Sequence, residues 1–266
     1  MMKSLLAAAV IPALMVPQTP ALVVPKPAII RAESKKVLLA MPLTMGMLPG
    51  KAAAGTPAAS YNGNYGSSTG ATTYTTGTIT FGTTDAKRVL VACFCWLNST
   101  TRTVSSVTIG GTSATAVSGS TQTGSAGGQS TYYLADASTV SGTVSVTLSG
   151  AGTAFVCYVY SVYPSSSTPT GGGFASSGST TSLASSAFSA SSGGVIVGAE
   201  YTPATAPTIG FTSNVGTPTL VGNQTVGTAQ ANGALVTGIS SSASATLTTT
   251  LSSSSAARMT CAAWGP

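Results

Sequence analysis

From Thr73 to Trp264 the apolar residues fall in short runs at every second position, and Gly, Ser and Asn separate the runs. Side chains of an extended strand alternate between its two faces, so this period of two predicts strands with one face turned inward. No stretch carries apolar residues at helical spacing over a useful length. Two runs, Arg88–Leu97 and Ala154–Tyr163, are apolar almost throughout, and they read as central strands that need both faces covered. Val195–Tyr201 and Arg258–Trp264 are their expected partners. Ile109-Gly-Gly-Thr112 reads as a tight hairpin turn, because two glycines supply the positive φ that such turns demand.

The runs echo one another weakly. Phe81 followed by Val89-Leu-Val-Ala resembles Phe188 followed by Val195-Ile-Val-Gly; Thr108-Ile-Gly recurs as Thr208-Ile-Gly; Leu148 then Cys157 resembles Leu251 then Cys261. Two organisations compete: tandem immunoglobulin-sized domains joined at Pro164–Gly173, or one sandwich with two related halves. About a dozen short strands at this spacing favour the second. The expected fold is all-β, a single jelly-roll-like β-sandwich with two related halves over residues 72–266. Gly171-Gly-Gly reads as a linker, and the Ser-rich stretches 176–192 and 240–255 as surface strands.

The first fifty-one residues are of another kind. They hold six Lys/Arg and one acid, a net of +5, and seven of the fourteen prolines. Proline fixes φ and biases its predecessor toward extended geometry, so an extended Pro-rich N-terminal arm is expected. Residues 52–71 are small and read as a flexible linker. The remaining body is nearly uncharged, and charged residues make up 5% of the chain against about 25% in ordinary soluble domains. The arm gains order by lying on another surface. Leu22, Val23, Ile29, Ile30, Leu38 and Leu39 would be buried there, with Arg31, Lys35 and Lys36 meeting acidic groups. The competing reading is a cleaved leader, with Met1-Met2-Lys3 as its basic start, Leu5–Val16 as its apolar core and Thr19-Pro-Ala as its cleavage zone. Leu5–Val16 is interrupted by Pro12 and falls short of the ~20 apolar residues that span a bilayer. The body has no cluster of Lys/Arg, which argues against nucleic acid as a partner.

Histidine is absent, which removes Ser-His-Asp and Cys-His catalysis and any His-ligated metal. The body's acids are Asp85, Asp136 and Glu200. Asp136 and Glu200 would serve as a glycosidase pair only if they faced one cleft; the blander reading is two separate turn or solvated residues. No cofactor motif is present. Cys93 and Cys95 share one strand face and cannot easily bridge each other. With Cys157 and Cys261 they are either buried small hydrophobes or candidate disulfide partners, within or between chains. Tyr132, Tyr133, Tyr158, Tyr160 and Tyr163 are either a sugar-binding surface or, more commonly in a sandwich, core. Asn98-Ser-Thr and Asn223-Gln-Thr match the glycosylation sequon, a short pattern that also arises by chance.

The order Arg88-Val-Leu-Val-Ala, Val104-Ser-Ser-Val-Thr-Ile-Gly-Gly, Tyr132-Tyr-Leu-Ala-Asp, Gly142-Thr-Val-Ser-Val-Thr-Leu-Ser-Gly, Phe155-Val-Cys-Tyr-Val-Tyr-Ser-Val, Gly193-Gly-Val-Ile-Val-Gly-Ala and Ala262-Ala-Trp-Gly-Pro resembles the jelly-roll-type β-sandwich module of bacterial secreted proteins and tailed-bacteriophage structural proteins. Leu39-Ala-Met-Pro-Leu-Thr-Met-Gly-Met-Leu-Pro-Gly resembles arms of phage virion proteins. The resemblance implies a non-enzymatic virion component without cofactor: a capsid decoration, neck or tail protein. Its expected partners are capsid, portal or neck, or tail subunits, copies of itself, and a host surface glycan. The alternative it implies is a secreted or cell-surface carbohydrate-binding module.

Overall fold

The computed structural model describes residues 58–203 and 208–266, and every regular element among them is a strand. The first half runs β1 (Ala58–Ser67), β2 (Thr73–Thr75), β3 (Ile79–Thr80), β4 (Val89–Leu97), β5 (Val104–Ile109), β6 (Thr112–Ser113), β7 (Thr115–Ala116), β8 (Gln122–Gly124), β9 (Gly127–Ala135), β10 (Ser141–Gly142), β11 (Val144–Leu148) and β12 (Ala154–Tyr163). The second runs β13 (Gly171–Ala184), β14 (Phe188–Ala190), β15 (Val195–Thr202), β16 (Ile209–Ser213), β17 (Thr217–Val226), β18 (Ala229–Thr237), β19 (Ser242–Ala245) and β20 (Leu247–Trp264).

Each half contributes one large antiparallel sheet. In the first the order is β1-β12-β4-β9-β7, with β8 also on β9; in the second it is β13-β20-β15-β18-β17, with β16 on β20. The first half backs its sheet with a smaller one, β2-β11-β5-β6. In the second half long strands do the same work. The end of β13 and β16 pair with Leu247–Leu251 at the start of β20, whose other end, Ala257–Trp264, runs in the large sheet. The pairs nest, first strand with last: β1 with β12, β2 with β11 and β3 with β10, then β13 with β20 and β14 with β19. A long hairpin rolled up in this way is the jelly-roll winding.

The two large sheets pack face to face, and alternation along their central strands explains why. In β4, Val89, Val91, Cys93 and Cys95 enter the core between the sheets, while Leu90, Ala92, Phe94 and Trp96 enter the core under the small sheet. In β20, Ala262 and Trp264 take the first face, and Met259, Cys261 and Ala263 the outer core of the second half. Such strands are apolar on both faces because both are covered. The strands expected as partners of β4 and β12 meet them across the core as a facing layer; their ladder partners lie within their own halves.

Two segments expected as linkers are strands. Residues 58–67, within the expected linker 52–71, form β1 on the edge of the first sheet. Their small residues hide the pattern, and so does a bulge between Tyr61 and Gly63. The extra residue shifts the alternation, so Tyr61 packs between the sheets while Tyr65 packs into the first half's outer core. Gly171-Gly-Gly opens β13. A Cβ on Gly172 would lie 2.8 Å from the Ser118 carbonyl and one on Gly173 2.7 Å from that of Ser186, so these glycines admit close backbone approach. Ile109-Gly-Gly-Thr112 is the expected hairpin turn, with φ of 59° and 83° at its glycines. The Thr108/Thr208 echo is coincidental: Ile109 ends β5, whereas Ile209 begins β16. The other echoes occupy matching elements, Leu148 and Leu251 in backing strands, Cys157 and Cys261 in central ones.

Candidate functional site

The core between the large sheets is apolar along β12, β4 and β15 and turns polar where β9 crosses β13 and β20. Thr131 of β9 and Thr260 of β20 join hydroxyls at 2.8 Å, and Thr260 donates to the Ser120 carbonyl at 2.9 Å. Further along, Gln129 donates its amide to the Ala175 carbonyl at 3.1 Å and to Gln122 Oε1 at 2.7 Å. Ser176 donates to the same Gln122 oxygen at 2.8 Å. Buried polar groups need such partners, and this row satisfies most of them.

The row ends at a cleft of about 330 Å³ lined by Gln122, Ser125, Gly127, Ser176, Ser177 and Arg258. Arg258 is cross-strand from Tyr201 and Ser176 and is only 7% exposed. Its guanidinium makes no hydrogen bond or ion pair with any described residue, and its Nε is buried without a partner. Burial holds this guanidinium below its usual range, against the pull of Cys95 and Tyr201. A Cβ on Gly127 would lie 2.6 Å from Arg258 Nε. The Gly124–Gly127 hairpin that forms one wall is pinned by Asn98, whose amide donates to the carbonyls of Gly124 at 2.9 Å and Ser125 at 3.1 Å. Asn98 is therefore a buried structural donor, which fits neither sequon glycosylation nor exposure.

The candidate acids are not brought together. Asp136 caps the turn after β9, accepting from the amides of Ser138 and Thr139 at 2.8 and 2.9 Å, and lies 3.6 Å from Arg88. Burial raises its carboxyl, but these amides, the Thr139 hydroxyl and Arg88 together hold it below the usual carboxylate range. Arg88 is consumed structurally, donating to the carbonyls of Asp136, Thr139 and Thr83. Glu200 is wholly buried on β15, and alternation turns it to the opposite face from Tyr201. Burial pushes its carboxyl up to about 8, although the Thr202 hydroxyl donates to it.

The four cysteines are free and fully buried, as the reading of small buried hydrophobes has them, and no bridge joins them within the described residues. Cys93 and Cys95 face the core between the sheets, Cys157 the outer core of the first half and Cys261 that of the second. Burial pushes the Cys93 and Cys261 thiols up to about 12. The tyrosines belong to the interior. Tyr158 and Tyr160 share the inner face, and Tyr160 donates across the core to the Gly198 carbonyl at 2.6 Å. Tyr133 stacks edge-on against Trp264, and Tyr132 lies in the first half's outer core. Tyr163 is partly exposed and bonds to the Thr83 carbonyl. The arm residues Leu22, Val23, Ile29, Ile30, Arg31, Lys35, Lys36, Leu38 and Leu39 lie outside the described residues. Sequence reasoning missed Arg258. The signal was there: Arg258 shares the inner parity of Ala262 and Trp264 in an otherwise uncharged strand.

No protein-family model, no curated protein and no solved structure matches the chain.

Proposed function

We propose that this protein is a non-enzymatic structural component of a tailed-phage virion, anchored through residues 1–51 and projecting its β-sandwich from the particle. The observation that carries this reading is a division of labour along the chain. The body consumes its own apolar surface: among the described residues the only large hydrophobic side chains left exposed are Val140, at 59%, and Leu220, at 43%. It therefore offers no broad apolar docking face. The arm concentrates what the body lacks, five of the chain's six net positive charges together with its Pro-broken apolar runs.

Deleting residues 2–51 tests the reading. The truncated chain is expected to fold and to be missing from purified particles, as read by mass spectrometry; incorporation at the normal level overturns it. The same spectrum of the intact protein weighs the second reading, a secreted carbohydrate-binding module, which the hydroxyl-lined cleft at Arg258 favours. That reading requires a mature N-terminus near residues 21–30.

A further inference from the structure

Arg258 is the only cation after Arg102, and the fold places it nine-tenths buried with no counter-charge among the described residues. An unpaired buried cation is costly, and its persistence calls for an anion. The guanidinium fork is shaped for a planar oxyanion, which it grips through two parallel hydrogen bonds. A single guanidinium balances a single negative charge, so the site matches a carboxylate better than a sulfate or phosphate dianion. The walls narrow the class further. They are hydroxyl, amide and glycine backbone, with no aromatic or large aliphatic side chain in the lining. Gln122 Oε1 is held by Gln129 and Ser176, and its Nε2 has no partner among the described residues. The volume, about 330 Å³, lies at the small end of ligand pockets. Gly127 and the Asn98-pinned hairpin fix the walls in advance of any ligand.

We propose that this cleft binds the carboxylate of an acidic sugar unit of the uronic- or sialic-acid type, with Arg258 gripping the carboxylate and Gln122, Ser125 and Ser177 meeting the sugar hydroxyls. The inference deepens the carbohydrate-binding reading given with the proposed function and rests on it for the choice of a glycan as the source. It does not depend on the arm.

The probe is glucuronate, titrated into the full-length chain while thermal unfolding and ligand NMR are recorded. Glucose, and sodium chloride at matched ionic strength, serve as references. Glucuronate is expected to raise the unfolding midpoint saturably, glucose and chloride to leave it unmoved. Arg258→Gln removes the charge and is expected to fold at least as stably as the parent, since it relieves an unpaired buried cation. It should weaken glucuronate binding by about 30-fold or more. Gln122→Ala, at the rim, provides a second variant and should weaken binding severalfold. Equal responses to glucose and glucuronate, a response that survives in Arg258→Gln and Gln122→Ala, or no response in the parent each overturn the proposal. A chain that incorporates into particles without its arm overturns the anchoring reading and leaves this result untouched.

Discussion

Glu200 and Arg258 sit one position apart in register on neighbouring strands, Glu200 opposite Met259 and Tyr201 opposite Arg258, yet alternation sends them to opposite faces of the sheet. Each is a buried ionisable group without a charged partner among the described residues, and the consequences differ. Arg258 opens onto a cleft and can take a ligand. Glu200 is sealed under the second half's outer layer, with one oxygen unpartnered. Burial pushes its carboxyl up to about 8 in the folded chain, from an ordinary 4.5 when unfolded. Across that window the folded state holds the extra proton. Stability from this group is therefore fully present below pH 4.5 and is lost as pH rises toward 8. Glu200→Gln is expected to flatten that slope. It should unfold much like the parent at the acid end and become the more stable protein at pH 8, by on the order of a few kcal/mol, in urea titrations at a series of pH values. Parallel slopes for the two proteins would remove Glu200 as the cause.

At the scale of elements, β1 shows how one residue sets the side-chain assignment of a strand. Tyr61 and Tyr65 are four apart and would share a face in a regular strand. The bulge at Asn62 separates them, Tyr61 opposite Tyr160 and Tyr65 opposite Cys157. Asn62 also donates to Ser161 Oγ at 2.7 Å. Asn62→Ala keeps the bulge but removes this bond together with the one Asn62 accepts from the Ser60 hydroxyl at 3.2 Å, and should cost about 1–2 kcal/mol. Deleting Asn62 removes the bulge and drives one tyrosine off its core, with an expected cost of roughly 1.5–3 kcal/mol beyond the alanine variant. Chemical denaturation of the two variants compares them; a deletion no worse than the alanine change would mean the strand re-registers freely. The edge matters because Tyr61 lies over β17, where a Cβ on Gly222 would come within 2.2 Å of its hydroxyl.

At the scale of the molecule, the two halves meet reciprocally. β4 faces its counterpart β15; β12 faces β15 while β20 faces β4; β1 faces β17 at one rim and β9 faces β20 and β13 at the other. This is the self-complementary pattern of a two-fold interface, made here within one chain. Tyr160 reaches into the space left by Gly233, where a Cβ would lie 2.3 Å from its hydroxyl. The first half alone, residues 58–163, would expose Val91, Cys93, Tyr158 and Tyr160. It is expected to be dimeric in sedimentation at micromolar concentration, each copy covering the other's face. A stable monomer of that half would show that the facing core contributes little to either half.

The period of two by itself determined that the body is all-β, that β4, β12, β15 and β20 are central, and that Ile109 to Thr112 is a hairpin turn. These follow from local chemistry: alternation, β-branched and aromatic content, and glycine where φ is positive. The arm's basic, proline-rich character was legible for the same reason. Three things were decided only in the folded chain. Residues 58–67 and 171–173 became strands because neighbouring backbones pair with them, which small residues permit and do not announce. The cysteines became free because three separate cores hold them, and core membership depends on which sheet faces which. Arg258 became a candidate site because burial, the lack of a counter-charge among the described residues and a cleft coincide there. All three are properties of what surrounds a residue in space, and the spacing of residues along the chain does not encode them.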